Sequence, residues 1–283
     1  MLEFITLLLP FLLLGFVAAG LSRISGVALS MIIVPTLLIW GARPLDVVAF
    51  MLLFVVYNNF TAETQDVRLD YKDLVLFPRW RIAIPIVLTA LITFLSPPAG
   101  IGFFMACFVL ELMATVYKRI PERDRPAIHR VVILSILSAV VTAVGAYVGP
   151  TISEDYYFGF AGLAILLITA FAWYAGRNRD AFKGIWEFIW VDFGIFLGLF
   201  GVESSNYPAG LTRDYKTPMD RMLPMITVVG GYAGLMVVLG VYGLFSIPSF
   251  ITAIGAAIGT RMFGLYEFPK RGTFSYLAIG FAV

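Results

Sequence analysis

The uncharged runs of this chain constrain it more than any other feature. Between Phe4 and Trp40, thirty-seven residues carry a single charge, Arg23, and further apolar runs follow at 45–62, 81–96, 98–117, 131–149, 157–175, 222–242 and 248–264. A helix rises about 1.5 Å per residue, so about 20 apolar residues cover the ~30 Å hydrocarbon core of a bilayer. In lipid every backbone N–H and C=O must find an internal partner, which a helix provides within its own segment. The whole chain is 60% hydrophobic and 13% charged, with mean hydropathy +0.91, against roughly 25% charged residues in soluble domains. These features predict an all-α polytopic membrane protein whose first partner is the lipid bilayer.

Several classes of function are disfavoured at this level. The first apolar run lacks the basic start and small-residue cleavage site of a secretory signal, so it is expected to be retained. Cys107 is the only cysteine and can form no internal disulfide; no Cys/His cluster suggests a metal, and no cofactor is expected. The basic pI of about 8.6 arises from Lys and Arg in short loops, where they orient a membrane protein, so no nucleic-acid partner is expected.

Two regions are interrupted rather than continuous. Region 4–40 is broken by Gly20-Leu21-Ser22-Arg23-Ile24-Ser25-Gly26, and region 185–215 by Gly201-Val202-Glu203-Ser204-Ser205-Asn206-Tyr207-Pro208. If each is a re-entrant hairpin that returns to its own side, seventeen of the twenty Lys and Arg fall on one face, in loops 68–81, 118–130, 177–183, 213–221 and 270–271. Retained positive charge marks that face as cytoplasmic. Only Arg43 lies in a loop of the opposite face, and only Arg23 and Arg261 lie within segments. The scheme is about seven full spans, two hairpins and a short C-terminal helix at 272–283. Pro44-Leu45-Asp46 and Pro218-Met219-Asp220 open corresponding helices of opposite direction. The expected organisation is a first repeat at 1–117, a connecting helix pair at 118–184 and a second repeat of inverted topology at 185–283. Inverted repeats with broken helices are an architecture of secondary transporters.

The interruptions carry the candidate chemistry. Ser22, Arg23, Ser25 and Gly26 are expected to precede a helix running from Val27, and Ser204, Ser205 and Asn206 to precede a short segment containing Pro208. Helix N-termini present free N–H groups and a positive dipole end, which suit an anion. An arginine at membrane depth costs several kcal/mol and marks a functional site by default. Its planar fork suits an oxyanion better than a lysine would. The structural alternative is that Arg23 satisfies loose carbonyls or pairs with Glu203, and the Ser and Asn residues serve as helix caps. Glu203 is either that charge partner or a proton carrier for coupling. Asp192 is a second protonatable candidate or a loop residue. Tyr57, Asn58 and Asn59 read as span-end residues, His129 as solvated, and Tyr156, Tyr157, Trp186 and Trp190 as interfacial belts.

The stretch Gly15-Phe16-Val17-Ala18-Ala19-Gly20 through Ser22-Arg23-Ile24-Ser25-Gly26-Val27-Ala28-Leu29, with Ile33-Val34-Pro35 and Gly41, resembles the first repeat of the sulfite exporter TauE/SafE (TSUP) transporters. Gly194 to Gly201 followed by Pro208 resembles a diverged second repeat. Many members carry consecutive glycines where this chain has Arg23-Ile24-Ser25-Gly26 and Glu203-Ser204-Ser205-Asn206, so side chains here stand in for a backbone cradle. The resemblance implies a multi-pass inner-membrane transporter, not an enzyme, that exports sulfite, sulfoacetate or another sulfonate by alternating access, with an ion gradient such as protons as its drive. Gly20 to Gly26 is also similar to the Gly-x-Ser-Arg-Ser-Gly loop of undecaprenyl-pyrophosphate phosphatases. That alternative implies a membrane enzyme, but the only histidine, His129, sits in a loop and no paired-glutamate motif occurs early in the chain. An anion channel of the same architecture is the third reading.

Overall fold

The seven uninterrupted apolar runs are helical. The computed structural model describes residues 2–25, 29–63, 79–177, 185–202, 218–244 and 247–264, and the regular structure among them is helical. The helices are α1 (Leu2–Ser25), α2 (Leu29–Ile39), α3 (Pro44–Glu63), α4 (Arg79–Leu95), α5 (Pro97–Arg119), α6 (Ile128–Val148), α7 (Glu154–Arg177), α8 (Ile185–Asp192), α9 (Gly194–Phe200), α10 (Pro218–Gly240) and α11 (Ile247–Gly264). Helices α3 to α7, α10 and α11 coincide with the seven expected runs to within a few residues. Among the described residues three stretches, Ala99–Arg119, Ile128–Thr151 and Met222–Gly240, are long and apolar enough to cross a membrane. The outer faces of α4 and α6 expose Ile84, Val87, Leu91 and Phe94, and Ile133, Ile136, Val140 and Val144. Contiguous apolar surface on this scale belongs in hydrocarbon. The chain is a helical membrane protein.

Helix α3 lies at the centre. Its residues Val47 to Val56 are buried without exception, which no amphipathic surface helix shows. Helices α2, α9, α10 and α11 all pack against it. The turn into α3 is closed by an Arg43–Asp46 ion pair of 2.8 Å, whose hydrogen bond and opposite charge push the Arg43 guanidinium above its ordinary range. Ser249 of α11 donates to the Asp46 carbonyl at 3.3 Å. Helix α4 packs chiefly on α5, and α5 is tied to α10 by the Tyr232 hydroxyl, which donates to the Gly102 carbonyl.

Two helix crossings are built alike. Where α1 meets α11, a methyl group added at Gly15 would collide with the Thr252 carbonyl and stand 2.8 Å from the Ala256 nitrogen. Gly255 faces the Leu12 carbonyl, and a methyl at Gly259 would stand 2.7 Å from the Phe16 carbonyl oxygen. Where α9 meets α6, a methyl at Gly198 would collide with the Thr142 carbonyl and stand 2.6 Å from the Ala146 nitrogen. Gly145 faces the Ile195 carbonyl, and a methyl at Gly149 would stand 2.7 Å from the Leu199 carbonyl oxygen. Residue numbers rise together on both partners, so each pair runs parallel. The shared helix motif is Thr-Ala-x-Gly-Ala-x-x-Gly, at 142–149 and again at 252–259. Lipid tails are as apolar as leucine, so close backbone approach over small residues supplies the attraction that holds such helices together.

Candidate substrate site at the helix interruptions

The first interruption is narrower than the sequence suggests. Gly20 through Ser25 remain helical, so Ser22, Arg23 and Ser25 occupy the last two turns of α1 instead of leading into the next helix. The reason lies at Gly20, where a methyl would stand 2.7 Å from the Phe263 ring: this glycine admits α11 and does not unwind α1. Gly26, Val27 and Ala28 lie outside the described residues, so the expected helix start at Val27 does too, and the described part of α2 is Leu29–Ile39. Arg23 therefore sits near the negative end of the α1 dipole, a favourable position for a cation. Ser22 is half-buried and already has a polar partner.

Ser30 of α2 is 0% exposed, and its hydroxyl has no hydrogen-bond partner.

The second interruption begins where the sequence places it. Helix α9 ends at Gly201 in the left-handed conformation (φ 71°), with the Gly201 N–H donating to the Leu197 carbonyl and the Val202 N–H to the Phe196 carbonyl. Glycine pays no steric cost there. Glu203, Ser204, Ser205 and Asn206 lie outside the described residues. On the approach to this break, α8 and α9 are offset at Asp192 and Phe193, and Asp192 is exposed. Helix α8 is pinned to α6 by an Arg130–Glu187 ion pair of 2.7 Å, with the Glu187 side chain 6% exposed.

Two expected belt residues are core residues. Tyr157 is fully buried and donates to the Leu199 carbonyl at 3.1 Å, holding α7 to α9. Trp190 is buried and stacks on Phe171 at 5.5 Å between centroids, with Phe193 edge-on to both. Tyr157 also packs edge-on against Phe200 of α9 at 5.2 Å, so these rings fill the protein interior and not a membrane interface. Tyr156 stays outward at 67% exposure, and His129 is exposed. The side chains of Trp186, Tyr57, Asn58 and Asn59 lie outside the described residues.

Among the described residues no group of three His, Cys, Asp or Glu is placed to hold a metal. What the described residues offer instead is a buried hydroxyl, Ser30 of α2, and an arginine, Arg23, in the last turn of α1. No family model matches the chain, and no curated protein or solved structure matches it either.

Proposed function

We propose that this protein is a multi-pass secondary transporter of the inner membrane that exports a small organosulfur oxyanion, such as sulfite, sulfoacetate or another sulfonate, by alternating access around a midplane site. The observation that carries this reading is the duplicated glycine crossing. Gly15 on α1 meets Thr252 and Ala256 of α11 as Gly198 on α9 meets Thr142 and Ala146 of α6, so the helices leading to the two interruptions are held in the same way. Equivalent seats for two broken helices are what an inverted repeat requires, and that architecture binds its substrate where the breaks meet.

The parallel sense of both pairs supports the hairpin topology. With both interrupted regions returning to their own side, α1 and α11 point the same way, and so do α6 and α9. If one region alone crossed continuously, α1 and α11 would oppose each other. In this reading the first repeat extends beyond 117 to include α6, with α4 and α5 inserted, and the repeats exchange helices: α11 of the second seats the first hairpin, and α6 of the first seats the second.

Arg23 supplies charge for the anion, Ser22, Ser25 and Gly26 line one side, and Ser204, Ser205 and Asn206 line the other. Glu203 balances Arg23 or carries the coupling proton. Flux of sulfite and sulfoacetate in proteoliposomes tests this. Arg23→Gln is expected to reduce flux at least tenfold, since a charge-assisted hydrogen bond is worth about 1.5–3 kcal/mol. Unchanged flux would remove the charge role. Flux indifferent to an imposed pH gradient, in wild type and Glu203→Gln alike, would remove proton coupling.

A further inference from the structure

We infer that Lys118 and Arg119, at the end of α5, hold the phosphate of an anionic phospholipid at the membrane surface; this stands apart from the transporter reading above. From Lys118 to Arg130 the chain carries five Lys and Arg against two carboxylates. Both carboxylates are engaged locally, Glu122 by Arg125 and Asp124 by Arg123, each at 3.4 Å, and Arg130 is turned to Glu187 of α8 at 2.7 Å. Lys118 and Arg119 are exposed in the last turn of α5, and among the described residues neither side chain has an acidic partner.

Basic residues in a last helical turn commonly serve the helix itself, by covering its free carbonyls and the negative end of its dipole. Here Arg125 does that. Its Nε donates to the Ile120 carbonyl at 3.0 Å and its Nη2 to the Lys118 carbonyl at 3.2 Å, with the guanidinium 5.8 Å from the centre of the Tyr117 ring. The Tyr117 hydroxyl donates to the Pro126 carbonyl at 2.9 Å, so the loop is folded back on the helix end. The two remaining cations stand on a braced backbone that a ligand does not have to order, which favours binding.

The surface beneath them selects the class of anion. Ile101, Phe104, Phe108 and Arg119 fall on one side of α5, because the step from Ile101 to Arg119 is five whole helical turns, and the three apolar side chains are exposed. Helix α4, packed on α5, adds exposed Ile84, Val87 and Leu91. A soluble anion gains nothing from such a surface, whereas a phosphodiester joined to two acyl chains meets the cations and the apolar stripe together. Retained positive charge marks this end as cytoplasmic, and basic residues beside a span attract the anionic lipids of that leaflet.

The test titrates phosphatidylglycerol and phosphatidylcholine of matched acyl chains into the detergent-solubilised full-length protein, with apparent Kd read from thermal unfolding followed by tryptophan fluorescence. Wild type is expected to bind phosphatidylglycerol about tenfold or more tightly, a preference that shrinks as salt is raised. Lys118→Gln combined with Arg119→Gln should remove the preference, and Lys118→Arg combined with Arg119→Lys, which keeps both charges, should retain it. If the Gln pair fails to fold, Arg119→Gln alone is expected to weaken phosphatidylglycerol binding about fivefold. Arg43→Gln, in the turn before α3 and paired with Asp46, should leave the preference unchanged. Equal affinity for the two lipids in wild type, or a preference that survives the Gln variants, overturns the assignment. Glycerol 1-phosphate competing at the same concentration as the lipid would mark a soluble-anion site and overturn it as well.

Discussion

Replacing Gly15 by Ala tests the crossings directly. The added methyl would stand 2.8 Å from the Ala256 nitrogen, and nearer to the Thr252 carbonyl, whereas ordinary contact for such a carbon begins at 3.4 Å. Both obstacles are backbone atoms of α11, so no side chain can rotate away and the helices must part by at least ~0.6 Å. A gap of that size forfeits a quarter to a half of each dispersion contact along the crossing. Overpacking of a tight interface costs about 1–3 kcal/mol, and we expect Gly15→Ala to fall in that range. Gly198→Ala, 2.6 Å from Ala146 across the α9–α6 crossing, is expected to cost a similar amount. Gly159→Ala is the control: nothing lies within 4 Å of the new carbon, and α7 gains helix propensity, so stability is expected to hold or rise by about 0.5–1 kcal/mol. The assay is thermal and denaturant unfolding of the detergent-solubilised protein, with monodispersity checked by size exclusion. If Gly15→Ala and Gly159→Ala behave alike, close backbone approach is not what holds α1 to α11. If Gly15→Ala is costly and Gly198→Ala is not, the two crossings are not equivalent.

Three further outcomes are expected. Arg130→Ala leaves the Glu187 carboxylate buried without its cation and should cost about 2–3 kcal/mol, with part of the loss recovered by adding Glu187→Gln; equal stability of the single and double variants would show that the pair does not pin α8 to α6. Gly201→Ala forces an alanine to φ 71° with its Cβ 3.0 Å from the Met51 side chain and should cost about 1–2 kcal/mol, whereas Ala at exposed Gly159 should not. Tyr157→Phe deletes the bond to Leu199 and should cost about 1 kcal/mol while leaving the fully buried ring in place; no change would mean that the hydroxyl contributes nothing to the α7–α9 contact.

Sequence alone determined the environment and the helices. Apolar run length decides both, because it measures the bilayer and because a backbone in lipid has few ways to satisfy itself. It also placed the end of α9, since Gly201 before a polar cluster is a local signal that the left-handed cap bears out. Tertiary packing decided what each glycine is for. Gly20 reads as a helix breaker in one dimension, but Phe263 occupies the space its missing side chain leaves, so α1 continues to Ser25. Tyr157 and Trp190 read as belt residues, yet Tyr157 is buried against Leu199, forty-two residues on, and Trp190 against Phe171 of the preceding long helix, contacts that no local pattern encodes. The Thr-Ala-x-Gly-Ala-x-x-Gly motif of α6 and α11 was present in the sequence throughout. Its role depends on tertiary packing, where Gly15 and Gly198 fill the same place against it, because small residues acquire a purpose from the backbone that approaches them.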